Sequence, residues 1–595
     1  MTEKQEKSSK KGVMRRLLPY ILQHWPLFLL ALAMTLCSNQ LALMGPEYSG
    51  NAIDAIADPG GVQFSLVWEN IVRMVLCYAG AAVTAYGLAV LMNRLSQRIV
   101  YTMRKQLFEK LTTLPVGYFD TNATGDIISH ISYDIDTVNS TLSHDLVQVM
   151  TSLYTVIGSF VFMWNISKPL SAVVLVTVPV SVLYTRFRTK KVRPLYRKRS
   201  KKLGELNGYA EEMLSGCRTI QAYHREEEID RRFALRNEDA MNASYRAEYY
   251  GATMGPTVNF INNLSLSLVM ILGGILYMFT QSGQVAEASV FFITLGGVAK
   301  FVQYSRKFAG PINEFANILH EFQSAFSAAE RVFKVLDEQP EKPDAPEAQP
   351  LQDVQGDVAF RDVVFGYNLD KMILDHVTVE AAAGKTVAIV GPTGAGKTTI
   401  INLLMRFYDA GEGRIAVDGQ PIASVQRTSL RQAYTMILQD TWLFHGTIFE
   451  NIAYGREGAT LEEVQAAARA ARIHSYIMGL PKGYDTVLSD GGVNISKGQR
   501  QLITIARAML TKSPMLIFDE ATSNVDSRTE IKIQQAMNDL MEGRTSFLIA
   551  HRLSTIRNAD LILVLQNGKI TEQGSHEELM SLGGFYSTLF NSQFT

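Results

Sequence analysis

Apolar and polar positions follow different rules in the two halves of the chain. In the first half five stretches carry no Asp, Glu, Lys or Arg: Leu17–Pro46, Met74–Asn93, Leu146–Ser167, Pro169–Thr185 and Tyr249–Ala286. Each is long enough, or nearly so, to cross about 30 Å of hydrocarbon as a helix rising 1.5 Å per residue. Pro169–Thr185 is short for this, but the Asn165–Lys168 turn ahead of it makes a tight hairpin with the preceding run. A sixth apolar segment, Ala288–Ala299, is interrupted by Lys300 and resumes through Phe301–Tyr304. Six spanning helices are predicted. From Val354 onward short β-like runs alternate with helical ones, as in an α/β domain around a mainly parallel sheet.

Charge orients the spans. Residues 1–16 hold Lys4, Lys7, Lys10, Lys11, Arg15 and Arg16, followed at once by apolar sequence with no small-residue cleavage site, which reads as a retained cytoplasmic N-terminus. Glu47–Asn70 contains no Lys or Arg, whereas Arg94, Arg98, Arg104, Lys105 and Lys110 follow the second span and a denser basic cluster, Arg186–Lys202, follows the fourth. Both basic connections belong in the cytoplasm, as do both termini. Each connection has helix-forming composition, enough for a helical pair reaching about 35–40 Å beyond the membrane. After Arg331 the sequence turns Pro-rich and charged through Asp337–Glu347, a linker between domains. The expected division is a helical membrane domain over residues 1–325, a linker over 326–353 and an α/β domain over 354–595.

At 595 residues the chain is too long for a single core, and Lys plus Arg equals Asp plus Glu at 57 each, so no net charge points to nucleic acid. Cys37, Cys77 and Cys217 lie far apart, which suits structural filling rather than a zinc site or a disulfide framework.

Gly391-Pro392-Thr393-Gly394-Ala395-Gly396-Lys397-Thr398 stands between the apolar run Thr386–Val390 and the apolar-periodic run Thr399–Phe407. It reads as strand, phosphate loop, helix. The glycines let backbone N–H groups turn inward on a polyphosphate, Lys397 reaches the β and γ phosphates, and the Thr398 hydroxyl ligates Mg²⁺. Met515–Glu520 is an apolar strand ending in two acids, where α/β sheets bind ligands. Asp519 is placed to hold Mg²⁺ and Glu520 to polarise the water that attacks the γ-phosphate. Ser546–Ala550 delivers His551 to the same sheet edge.

Between these motifs lies Ile495-Ser496-Lys497-Gly498-Gln499-Arg500-Gln501, which resembles the signature of ATP-binding cassette proteins. With six spans, a linker and one cassette, almost the whole chain resembles a half-transporter of the ABC exporter family. The resemblance implies that Tyr367 stacks on adenine, with Gly391, Thr393, Gly394, Ala395, Gly396, Lys397, Thr398 and Thr399 around the phosphates. It implies that Gln439 senses the γ-phosphate and Mg²⁺, that Ser496, Gly498 and Gln499 close over ATP held by a partner, that Asp526 lies in the loop communicating across a dimer, and that His551 is the switch histidine. Pro115–Asp136 and Met213–Glu226 resemble the two coupling segments.

Three places depart from the family pattern: Lys497 stands where Gly is usual, Ser523-Asn524-Val525-Asp526 replaces Ser-Ala-Leu-Asp, and Ser489-Asp490-Gly491 replaces Gly-Glu-Arg. Lys497 adds bulk and charge at the site completed in a partner, so a heterodimer with a second half-transporter is expected, with a homodimer as the alternative. Lys300 has two readings: it lines the substrate path with Gln303 and the Asn259, Asn262 and Asn263 group, or it snorkels toward the inner leaflet while the asparagines bond between helices. The implied function is ATP- and Mg²⁺-dependent outward transport of a hydrophobic or amphipathic substrate, a drug or a lipid, across the plasma (inner) membrane. The rival is an ATP-gated channel or regulator on the same scaffold.

Overall fold

The computed structural model describes residues 3–58, 60–287, 289–368, 371–438, 441–488, 495–519, 526–549 and 556–592. The chain forms two compact units, Met1–Thr112 with Thr124–Glu338, and Thr113–Ala123 with Gln339–Thr595.

The first unit is helical: α1 Glu3–Leu22, α2 Trp25–Ile56, α3 Phe64–Thr112, α4 Leu146–Ile166, α5 Lys168–Ser215, α6 Glu226–Ala252, α7 Met254–Gln281 and α8 Leu295–Asp337. Among the described residues five helical stretches, containing α2, α3, α4, α5 and α7, are long and apolar enough to cross a membrane, and the sixth expected span falls on α8. Large apolar side chains such as Val83, Tyr86, Val176, Leu183 and Met278 are exposed on them, as suits helices whose solvent is lipid. Where helices meet, Leu43, Met163, Leu170, Val269, Phe301 and Tyr304 are buried together, and Phe162 stacks on Tyr304 with ring centroids 4.9 Å apart. The hairpin turn between α4 and α5 is a single residue, Ser167, whose hydroxyl caps α5 by accepting from Leu170 N.

Three boundaries differ from the sequence reading. The sixth span starts at Leu295 rather than Ala288, because Thr294 caps it, its hydroxyl accepting from Gly297 N. It continues to Asp337, so residues 326–337, expected as linker, are helix: Ala325, Ala328, Ala329, Val332 and Phe333 are buried at helical spacing. In the first basic connection α3 extends about 29 Å beyond Asn93. Its return limb is broken into short pieces that include two π turns, His130–Asp134 and Thr141–Asp145.

The second unit is α/β. β1 Val358–Phe365, β2 Leu374–Ala381, β4 Glu412–Val417 and β5 Gln420–Pro421 make an antiparallel sheet in the order β2-β1-β4-β5. β3 Thr386–Val390, β6 Tyr434–Ile437, β7 Met515–Asp519, β8 Thr545–Ile549, β9 Leu561–Gln566 and β10 Lys569–Gly574 make a second sheet, in the order β10-β9-β3-β8-β7-β6. The latter is parallel except for the β9–β10 hairpin. Its central strands are buried along nearly their whole length, the near-continuous apolar run expected of a parallel sheet covered on both faces. Helix α9 Lys397–Leu404 packs in one core with Val387, Ile389 and Phe547. Helix α10 Lys497–Thr511 packs in another with Leu516, Phe518 and Ile533 of α11 Ser527–Met541.

Candidate nucleotide site

The C-terminal ends of four parallel strands define the site. Register pairs Ile549 with both Asp519 and Ile389, and Ile437 with Phe518, so β3, β8, β7 and β6 end at one sheet edge. β3 feeds the phosphate loop there and β7 presents Asp519 as its last residue. Gln439, Glu520 and His551 follow β6, β7 and β8 by one or two residues and lie outside the described residues, as do residues 489–494 ahead of the signature and 523–525 of the cross-dimer loop.

Two glycines of the loop are required by its path. Gly391 has φ +154°, and a Cβ there would lie 2.2 Å from the Leu565 carbonyl oxygen. Gly396, with φ +104°, caps α9, and its Cβ would lie 2.8 Å from Leu374 Cδ2. Either side chain would push the loop off the sheet and spoil the backbone cradle. Thr393, Gly394 and Thr398 are exposed at the mouth, while Ala395 and Lys397 are buried. The Lys397 ammonium donates to the carbonyls of Gly391 at 2.7 Å and Pro392 at 3.1 Å, so a cation is already held over the loop at the start of a helix. A polyphosphate fits this arrangement of glycines, helix N-terminus and buried lysine.

Tyr367 leaves β1 with its ring half exposed and its hydroxyl tied to α9: Asn402 Nδ2 donates to it at 3.0 Å and Thr399 Oγ1 lies 3.3 Å away. Thr399 is therefore a buried anchor for the aromatic platform. The platform has a second member that sequence reasoning missed. The Tyr408 ring stands edge-on to Tyr367 with centroids 5.0 Å apart and edge-on to Phe365 at 5.8 Å. Its hydroxyl donates to Asp120, on the short helix Val116–Thr121. A Cβ on Gly117 of the same helix would come within 3.0 Å of the Tyr408 ring. Burial, and after it the bond to Asp120, pushes the Tyr408 hydroxyl pKa up, which keeps the donor protonated. The aromatic doublet Phe407-Tyr408 directly after α9 was the available signal.

The signature forms the N-terminus of α10. Ser496 is its cap, with the Ser496 hydroxyl accepting from Gln499 N at 3.3 Å and Ser496 N donating to Gln499 Oε1 at 2.9 Å. Gly498 is buried, and Lys497 is half-buried at the first position of the helix. Asp526 caps α11 by accepting from Thr529 N at 2.9 Å, a contact that holds its carboxyl below the usual range.

The proposed membrane residues do not assemble as one group. Lys300 donates to Glu47 Oε1 and Asn51 Oδ1 on α2, both at 2.7 Å, and Gln303 donates to Ser49 at 3.1 Å. Lys300 runs across Gly50, where an added Cβ would lie 2.1 Å from Lys300 Cγ. Asp54 accepts from Gly296 N at 2.7 Å in the same region. Lys300 sits about 8 Å along α8 from the loop joining it to α7, whereas exposed Asn259 sits about 33 Å along α7 from that loop, with Asn262 and Asn263 one turn nearer. That places Lys300 toward the end of the spans that carries the α7–α8 loop and the asparagines toward the opposite end.

Comparison with known proteins agrees with this geometry. Residues 28–298 match the ABC transporter transmembrane region and residues 374–523 match the ABC transporter domain. An uncharacterised ABC transporter ATP-binding protein, YfiC of Bacillus subtilis, is 41% identical over 98% of this chain and 94% of its own length. A fatty acid ABC transporter ATP-binding/permease protein of Mycobacterium bovis is 44% identical over 89% of this chain and 82% of its own. An ATP-dependent lipid A-core flippase of Syntrophus aciditrophicus is 33% identical over 99% and 96%. The solved structure of a bacterial Atm1-family ABC exporter with ATP bound covers 96% of this chain and 99% of its own, at 32% identity and a TM-score of 0.75.

Proposed function

The chain belongs to the ABC transporters, with the membrane region and the ATPase domain on one polypeptide, and from that premise we propose that it is one half of a heterodimeric exporter moving a lipid or drug-like amphiphile outward across the plasma (inner) membrane. It is an integral membrane protein that binds ATP and couples its hydrolysis to transport. The two relatives named for fatty acid and lipid A-core support a lipid over a drug.

Bound ATP supplies the phosphoanhydride whose cleavage resets the cycle. Tyr367, anchored through Asn402 and Thr399, offers a ring face to adenine. Lys397 exchanges the Gly391 and Pro392 carbonyls for phosphate oxygens, and the backbone from Gly391 to Thr398 surrounds them. Thr398, Asp519 and Gln439 would hold Mg²⁺, which would offset the charge of the phosphate oxygens; Glu520 takes the proton from the attacking water, and His551 orients the γ-phosphate. Ser496, Gly498 and Gln499 cap the nucleotide bound by the partner, so cassette closure depends on two sites and hydrolysis releases it. The cassette faces the cytoplasm together with both termini.

The observation that carries the exporter reading is the fusion itself: one chain provides apolar helices long enough to span a membrane and a phosphate loop with its lysine already buried at the mouth. ATPase activity in nanodiscs across a panel of lipids, drugs and peptides tests it. Lipids should stimulate turnover most; stimulation by none of the panel would count against transport as the function.

A further inference from the structure

α2, α3, the π turn Thr141–Asp145 and the start of α4 line a half-open cavity of about 720 Å³. Its position follows from the helices. Ala85–Asn93 form the last part of the charge-free run of α3, just before Arg94 and Arg98, and Asp145 directly precedes the charge-free run of α4. The cavity therefore lies where the inner head groups meet hydrocarbon. One wall is apolar, with Leu88, Ala89, Val90 and Val147; the rest is polar, and no Lys or Arg is among the described residues that line it.

Asp145 is the unusual member. It is only 8% exposed and lines the cavity, and among the described residues no hydrogen bond or ion pair reaches its carboxylate. It closes the π turn Thr141–Asp145, an insertion that shifts side chains off the α-helical register and often marks functional positions. The neighbouring polar groups do not satisfy it. Asn39 donates to Thr35 O at 2.7 Å and accepts from Thr155 at 3.2 Å, and Ser38 donates to Ala81 O at 3.0 Å. His144 is the other titratable group of the lining, and it is exposed. A carboxylate that opens only on a cavity at the edge of the hydrocarbon, without a cation beside it, is costly, and a ligand that brings one lowers the cost.

We propose that this cavity binds the ammonium group of an amphiphile, with Asp145 as its counter-ion and the Leu88, Val90 and Val147 wall against its chain. The inference rests on the exporter reading and narrows its substrate to ammonium-bearing amphiphiles, either an aminolipid or a free long-chain amine. A fatty acid would set carboxylate against carboxylate.

The test is equilibrium binding of labelled dodecylammonium, dodecanol and dodecanoate to the purified full-length protein in phosphatidylcholine nanodiscs. Dodecylammonium should bind at least about tenfold more tightly than either other probe. Asp145→Asn should abolish that preference, Asp145→Glu should keep it, and Ala89→Trp, which fills the cavity, should weaken dodecylammonium binding without touching the acid. Adding phosphatidylethanolamine assigns the source: competition with the probe identifies a lipid head group as ligand, and no competition identifies a free amine. A preference for dodecanoate, or one for dodecylammonium that survives Asp145→Asn, would overturn the proposal. Binding is read without ATP, so a failed site and a failed exporter reading give different results: loss of the charge preference in the first case, intact binding without stimulated ATPase in the second.

Discussion

The Tyr408 hydroxyl donates a hydrogen bond to the Asp120 carboxylate, and the ring that carries it stands edge-on to Tyr367, the proposed adenine platform. Asp120 lies on Val116–Thr121, between the end of α3 and the return limb toward α4. One aromatic side chain thus touches both the nucleotide platform and the chain segment joining two membrane helices. Tyr408→Phe keeps the ring contacts and removes the bond. The ratio of substrate-stimulated to basal turnover should then fall by about fivefold, the scale of a modest coupling free energy. An unchanged ratio would assign the bond a purely local role.

Lys300 braces α2 against α8 through Glu47 and Asn51. Removing one partner of a buried pair leaves the other uncompensated, at about 3–5 kcal/mol when fully buried, and less here because Glu47 is more than a third exposed. Lys300→Met and Glu47→Gln should each lower the thermal midpoint, and the double variant should lose less than the two single losses combined. Strict additivity would show that the pair does not act as a unit.

Glu463 gives the cassette a pH signature. The Arg456 side chain, followed by the Thr460 backbone N–H that completes a capping box, brings its carboxyl down to about 2. A depressed folded pKa contributes stability that is present above the unfolded value and is lost as pH falls through the folded one. The difference in thermal midpoint between the parent and Glu463→Gln should be full at pH 7 and shrink from about pH 4.5 downward. A difference that grew on acidification would contradict the assignment.

The spans were legible because lipid demands long charge-free runs, and the phosphate loop because its glycines, lysine and threonine sit at fixed spacing beside a strand. The Phe407-Tyr408 doublet was visible but the contacts of Tyr408 were not: its partners Asp120 and Tyr367 are 288 and 41 positions away, and periodicity carries no information about such contacts. Lys300 was recognised as unusual, but its partner Glu47 lies on another helix 253 positions earlier. The helical continuation to Asp337 was hidden because charged residues between Glu330 and Asp337 look like linker, while Val332, Phe333 and Val335 are buried among them.

Lys497 bears on the partner. In a heterodimer it enters one of two ATP sites; in a homodimer it enters both. The chain expressed alone should hydrolyse ATP slowly, and Lys497→Gly in the complete pair should raise or rebalance turnover rather than abolish it. A homodimer with brisk, substrate-stimulated ATPase would contradict the heterodimer and leave the exporter intact.

Outward movement driven by hydrolysis is tested most directly by ATP-dependent translocation of a fluorescent lipid in sealed proteoliposomes, comparing the parent with Glu520→Gln. Loss of a positioned base costs about 10²–10⁴ in rate, so the variant should bind ATP and show neither sustained hydrolysis nor sustained lipid movement. Undiminished hydrolysis or translocation in Glu520→Gln would contradict the account.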